Sequence, residues 1–177
     1  MSFELSPINP LAILSKLEGQ WRERASGRGL DLDLHLQPGL DLMVYTAPAE
    51  FQRLLENVVD NAIKFTDEGG IRIEAGAGEG GEPAMMVIRV SDTGAGIPPE
   101  KMEEIFLPFT QNDISSTRKF GGAGLGLSVS RQFARLLGGD ILVSSKVDEG
   151  SVFTISLPLD SRQYRQDQQT ARNVTTG

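Results

Sequence analysis

Apolar residues along this chain change period several times, and each change marks an element. Leu11, Leu14, Leu17 and Trp21 recur at three- and four-residue intervals behind Pro10, which predicts an opening helix over residues 7–27. Leu30, Leu32, Leu34 and Leu36 alternate with Asp31, Asp33 and His35, the pattern of a strand with one buried face. Pro38-Gly39 makes a turn, and Leu42–Thr46 follows as a second short strand. The helical period returns over Glu50–Phe65, where Phe51, Leu54, Leu55, Val58, Val59, Ala62 and Ile63 form one stripe. Ile71–Ala77 and Ala84–Asp92 are expected strands joined by the glycine-rich residues 76–81. Pro99–Ile105 fits a short helix, whereas residues 106–122 are polar and aperiodic, as functional lids and disordered segments are. A helix over Leu125–Leu137 stops at Gly138-Gly139. Asp140–Ser145 and Ser151–Leu157 form a closing hairpin turned by Asp148-Glu149-Gly150. This order predicts an α/β fold in which helices cover one face of a mixed sheet. Residues 1–28 are the opening helical segment, 29–159 the domain with a lid at 106–123, and 160–177 a polar tail or linker.

Composition narrows the chemistry. A chain of 177 residues with 39% hydrophobic and 23% charged residues suits one soluble globular domain. Its net charge of −7 disfavours nucleic acid and anionic lipid as partners, and any polyanionic ligand must be held by local cations or a metal. With no cysteine and a single histidine, thiolate catalysis, disulfides, cysteine zinc sites and multi-histidine metal sites are excluded. No apolar run approaches the roughly 20 residues of a membrane span, and no signal-peptide pattern opens the chain. A cytoplasmic, monomeric domain is expected, even within a membrane-bound parent.

Three places bear groups that can act. Asn57, Asn61 and Lys64 fall within about 60° of arc along one edge of the apolar stripe. Two carboxamides and an ammonium there can meet a metal and its phosphates, or form a solvated flank, and the helix alone leaves both readings open. Asp92 continues the apolar face of Met86, Ile88 and Val90 to the strand end. A carboxylate there needs a partner, either a turn N–H in Thr93-Gly94 or a ligand donor such as the exocyclic amine of adenine. Gly94 and Gly96 follow it, and a second cluster, Gly121–Leu127, runs directly into a helix whose free N–H groups suit phosphate. That cluster is neither a Walker loop nor a Rossmann fingerprint.

Taken together these segments resemble the ATP-binding catalytic domain of sensor histidine kinases, within the gyrase, heat-shock chaperone and mismatch-repair ATPase superfamily. Residues 56–66 (ENVVDNAIKFT) are similar to its N box, Asp92–Ile97 to the first glycine box, Ile105–Phe109 to the F box and Gly122–Leu127 to the second glycine box. Gly150–Pro158 is similar to the closing strand, and the likeness covers residues 3–159. Gln111–Gly126 is most similar to the lid of hybrid kinases, except that Ala123 stands where that group usually has Thr.

The resemblance implies a Bergerat-type fold: a two-layer sandwich of a mixed, mostly antiparallel sheet covered on one face by helices. It implies ATP and Mg2+ as cofactors. Asn61 would ligate the magnesium, Asn57 would assist through phosphate or water, Lys64 would meet a phosphate, and Phe65 would pack on adenine. Asp92 would accept from adenine's amino group, with Gly94, Gly96 and Ile97 lining base and ribose. Gly122, Gly124, Leu125, Gly126 and Leu127 would border the phosphates. Arg118 and Lys119 either steady the γ-phosphate or form a solvated pair, and Phe106 and Phe109 anchor the lid or simply pack. Ser151 and Phe153 alternate onto one face and would touch adenine.

One part of the family's chemistry is missing from the sequence. Its phosphoacceptor is a histidine on a separate dimerising hairpin, followed by an acidic residue. His35 lies mid-strand on the polar face and is followed by Leu36-Gln37-Pro38. The implied partners are therefore a histidine phosphoacceptor and dimerisation domain of the same parent and a downstream response regulator or receiver domain. Two other readings stand beside the kinase: a nucleotide-binding regulatory or protein-interaction module without kinase activity, and an ATP-hydrolysing relative. Related ATPases carry a glutamate base where this chain has Asn57, which argues against the last.

Overall fold

Asn9 starts the first helix, its Oδ1 accepting from the N–H groups of Leu11 at 3.0 Å and Ala12 at 3.4 Å. Pro10 follows at the first helical position, and α1 runs Pro10–Gly27 with Leu14, Leu17, Trp21 and Ala25 buried. The computed structural model describes residues 4–37, 43–78, 84–107 and 123–162. Where the opening helix was expected to begin at residue 7, Ser6–Ile8 is instead a strand, β1. It pairs antiparallel with β3, Val44–Thr46, apart from the main sheet. Ser6, Pro7 and Ile8 show no alternation of apolar and polar residues, so this strand was not legible in sequence.

Among the described residues the main sheet has five strands in the order β2-β4-β5-β7-β6. They are β2 (Asp31–Leu36), β4 (Gly70–Ala77), β5 (Met85–Asp92), β6 (Asp140–Lys146) and β7 (Gly150–Pro158). Only β2 runs parallel to its neighbour, β4; the other pairings are antiparallel. The parallel pair needs a crossover, and α2 (Pro48–Phe65) lies on it. The single short helix expected over Pro99–Ile105 is two 3-10 turns, Pro99–Lys101 and Glu104–Phe106. The last helix, α3, spans Ala123–Leu136.

One sheet face carries the core. Ile71, Ile73, Met86, Ile88, Val90, Ile141, Phe153, Ile155 and Leu157 are buried there under Phe51, Leu54, Leu55, Val58 and Val59 of α2. Arg72 and Arg89 lie on the other, exposed face. The period-2 and period-3.6 patterns of the sequence therefore meet at one interface, as a two-layer α/β sandwich requires.

The packed domain continues past residue 159. Tyr45 bridges to Asp160, Ser161 Oγ donates to the buried Leu137 carbonyl at 2.9 Å, and the Arg162 guanidinium sits 3.5 Å from the Tyr45 ring centroid. The start of the expected tail is thus fastened by polar and cation–π contacts, which leave no hydrophobic period to read.

Candidate active site

Asp92 ends β5 on the inner face, in register with Ile71 on one side and Ser151 on the other. Its Oδ1 accepts from the Gly94 N–H at 2.9 Å, and the Ser151 N–H also donates to it. Burial pushes its carboxyl above the ordinary carboxylate range, and the two N–H donors only partly offset that. Both sequence readings are therefore compatible: the carboxylate caps its turn and still stands on the buried face.

The glycine loop after Asp92 is clasped on two sides. A side chain at Gly94 would lie 2.8 Å from the Phe65 carbonyl oxygen and 3.0 Å from Asp92 Oδ1, so the loop touches the end of α2. Gly96 has φ +76°, and a Cβ there would sit 2.2 Å from the Lys146 carbonyl oxygen in the β6–β7 hairpin. The hairpin also donates from Asp148 N to the Ala95 carbonyl at 2.8 Å, and Ser145 Oγ accepts from Ile97 N at 2.7 Å. Ser145 and Asp148 escaped the sequence reading because they meet the loop only through the register of β6 on β7.

The polar edge of α2 joins this loop to α3. Asn57 Nδ2 donates to the Gly126 carbonyl at 3.3 Å, leaving its own oxygen uncommitted by that bond. Asn61 is 7% exposed, and among the described residues its carboxamide has no hydrogen-bond partner. Buried amides persist in that state where water or a ligand completes them. Lys64 is half-buried, and Phe65 is exposed at the helix end. From Asn57 to Phe65 the helix rises about 12 Å, a span that suits phosphates at one end and a base at the other.

Leu127 is buried and Gly126 half-buried on α3. Gly124 and Leu125 belong to its first turn, but their side-chain surroundings lie outside the described residues, as do Phe109, Arg118, Lys119 and Gly122. Ser151 and Phe153 are buried on the inner face of β7. Phe153 meets Phe106 edge-on with ring centroids 6.3 Å apart. The Arg131 guanidinium lies 4.6 Å from the Phe106 ring centroid, and its Nε donates to Asp140 Oδ1 at 3.0 Å. Burial raises the Asp140 carboxyl, but the Arg131 hydrogen bond, the Ile141 N–H and the charges of Arg131 and Arg135 outweigh it and hold it below the usual range. Phe106 thus packs between Arg131 of α3 and Phe153 of β7, and the lid it was expected to anchor lies outside the described residues.

Among the described residues no group of three His, Cys, Asp or Glu side chains could hold a metal. A groove of about 930 Å³ opens on the outer sheet face beside His35, Arg72, Glu74 and Arg89. It contains none of the site residues, and although Gly76 and Gly78 line it, no helix start does. His35 is exposed there, on the face opposite Asp92.

Comparison with known proteins agrees with this geometry. Residues 46–161 match the family described as "Histidine kinase-, DNA gyrase B-, and HSP90-like ATPase". The chain is 34% identical over 159 residues to the autoinducer 2 sensor kinase/phosphatase LuxQ of Vibrio parahaemolyticus, covering 89% of the chain and 18% of that protein. It is 31% identical over 166 residues to the sensor histidine kinase RcsC of Escherichia coli K12, covering 94% of the chain and 17% of that protein. The chain therefore spans less than a fifth of the length of these relatives. Full-length ShkA, solved in complex with AMPPNP, superposes with a TM-score of 0.74 at 27% identity, over 89% of this chain and 32% of that one. The catalytic domain of the histidine kinase ThkA superposes with a TM-score of 0.73 at 24% identity, over 90% of this chain and 99% of that one, which shows the shared fold.

Proposed function

This chain belongs to the histidine kinase-, DNA gyrase B- and HSP90-like ATPase family, and from that premise we propose that it is the catalytic domain of a sensor histidine kinase. It binds Mg-ATP and donates the γ-phosphoryl group to a histidine on another domain. One observation carries the reading. A half-buried carboxylate at the end of β5, opening the glycine loop, lies near one end of α2, and on the same helix toward α3 lies the buried residue Asn61, whose carboxamide has no hydrogen-bond partner among the described residues.

Asp92, ionised, is acceptor-only and takes a hydrogen from adenine's amino group. Gly94, Gly96 and Ile97 bring backbone against base and ribose because no side chain intervenes. Asn61 would offer a neutral oxygen to Mg2+, and Asn57 would assist through phosphate or water. Because its carboxamide is neutral, Asn61 would suit an ion whose charge is met mainly by the phosphates, as magnesium's is. When bound, the metal neutralises charge on the phosphates. Lys64 adds an ammonium to a phosphate oxygen. Phosphoryl transfer then needs positioning and charge stabilisation more than covalent chemistry from the protein.

Asn57 shapes the choice of acceptor. A carboxamide cannot remove a proton from water near neutral pH, so nothing at this position drives hydrolysis. A neutral imidazole needs no base, because its unprotonated nitrogen already offers a lone pair. That nitrogen bonds to the γ-phosphorus, the bond to the bridging oxygen breaks, and ADP leaves with the electron pair. His35 cannot serve, since it faces away from the site on the far side of the sheet. A dimerising histidine domain of the same parent supplies the acceptor, and a receiver domain or response regulator takes the phosphoryl group onward.

The test combines binding with transfer. Labelled ATP and Mg2+ are titrated into wild type and Asn61→Ala, and a dimerising histidine domain is then added. Expected are wild-type binding, magnesium-dependent binding lost in Asn61→Ala, and label appearing on the added domain only with wild type. No binding by wild type defeats the proposal, stable label on His35 defeats the trans acceptor, and rapid ATP turnover without acceptor favours a hydrolase.

A further inference from the structure

Ser145 lies on the inner face of β6, in register with Ser151 of β7. Its hydroxyl has three partners: Ile97 N at 2.7 Å, the Gly150 carbonyl oxygen at 3.0 Å and Ser151 Oγ at 2.8 Å. The proton count assigns each bond. A carbonyl only accepts, so the one proton of Ser145 goes to Gly150. The Ile97 N–H fills one lone pair of Ser145, and the other can take only the proton of Ser151. Every hydrogen-bonding capacity of Ser145 is then used, and the Ser151 oxygen keeps lone pairs but no free proton.

Ser151 stands beside Asp92 on the same sheet face and is 6% exposed. The sheet floor at this point therefore offers acceptors: the Asp92 carboxylate and the Ser151 oxygen. An amino group on a bound base is matched to it, whereas a carbonyl oxygen at the same place meets only lone pairs. Through Ile97 the same hydroxyl also holds the far end of the glycine loop.

We infer that Ser145 is a positioning residue that sets the nucleotide preference of this site, fixing the glycine loop through Ile97 and the donor–acceptor polarity of Ser151. It touches neither base nor phosphate itself. The inference rests on the ATP-site reading above and adds to the Asp92 acceptor a residue that holds Ser151 as a second acceptor beside it.

Affinities of ATP and of inosine triphosphate, which carries oxygen where ATP carries the amino group, are measured with Mg2+ for wild type, Ser145→Ala and Ser145→Thr. In Ser145→Ala the ATP affinity is expected to fall roughly tenfold and the inosine triphosphate affinity about twofold at most, so the preference narrows. Ser145→Thr, which keeps the hydroxyl, restores both. The proposal is overturned by an ATP affinity within about twofold of wild type in Ser145→Ala, by equal losses for the two nucleotides, or by failure of the threonine rescue. Should Ser145→Ala not fold, Ser145→Cys, with a weak sulfur acceptor of similar size, must show an intermediate loss, and wild-type behaviour there overturns it. A wild type that binds no ATP removes the underlying reading instead, so the two failures are distinct.

Discussion

Asp92 is held by two backbone N–H groups and yet remains costly to ionise, because burial outweighs them. The sign follows from the raised value. The folded state holds this proton more tightly than the unfolded chain, so the stabilisation is full below the ordinary carboxylate value and is lost as pH rises through the raised one. Ionising Asp92 therefore costs the fold more than ionising an exposed carboxyl, and a ligand donor would add to what the Gly94 and Ser151 N–H groups offset. Asp92→Asn keeps an acceptor oxygen for Gly94 while removing the charge. Its thermal midpoint at pH 7 should equal or exceed that of wild type, while ATP affinity falls roughly 10- to 100-fold. Calorimetric melting and a binding titration on one sample check both, and a clearly lowered midpoint contradicts the account. This residue was legible in the sequence because strand parity places it. Ser145 was not, since the same parity also describes any small residue facing the core, and its partners are 48 and 6 residues away.

Among elements, α3 and the 3-10 turn Glu104–Phe106 are joined, among the described residues, by side chains. Arg131 spans from Asp140 at the start of β6 to the Phe106 ring, and Phe106 meets Phe153. A partly exposed ion pair contributes about 0–1 kcal/mol, and a cation over an aromatic ring about 0.5–1 kcal/mol. Arg131→Met keeps most of the apolar stem and removes the charge, so a loss of about 1 kcal/mol is expected in denaturant unfolding. Because the Asp140 carboxyl is held below its usual value, the ion pair contributes above that usual value and fades as pH falls through the depressed one. The wild-type and Arg131→Met curves should therefore converge in acid and separate above about pH 4. The helices and the longer strands were readable from their periods. β1 and the division of the expected Pro99–Ile105 helix into two 3-10 turns were not, because no period repeats within them.

At the scale of the molecule the sheet separates two faces with different tasks. The inner face buries the core and ends at Asp92, Ser145 and Ser151, while the outer face carries His35, Arg72 and Arg89. Ligand binding to the folded state alone should stabilise it by about 2.7 kcal/mol at a hundredfold excess over Kd. For a domain of this size that corresponds to a rise in thermal midpoint of roughly 5–10 °C with Mg-ATP. A flat response in scanning calorimetry at saturating nucleotide would speak against any nucleotide site. Transfer should depend on tethering as well, since an acceptor on the same chain reaches millimolar effective concentration and a free one does not.

The sequence by itself determined which faces are buried, that Asp92 stands on one of them, and that Asn57, Asn61 and Lys64 share a helix edge. Those are consequences of local period, and local period is written in neighbouring residues. Only the tertiary structure decided what closes the site. The parallel pairing of β2 with β4, the Asn57 bond to Gly126, the Arg131 grip on Phe106 and the Ser145 network all join residues far apart in the chain. Such contacts depend on strand order, register and helix placement, which many sequences with the same periods could arrange differently. The choice that the helix edge offered lies beyond the helix and its composition; what the fold adds is Gly126 against Asn57 and the glycine loop against Phe65.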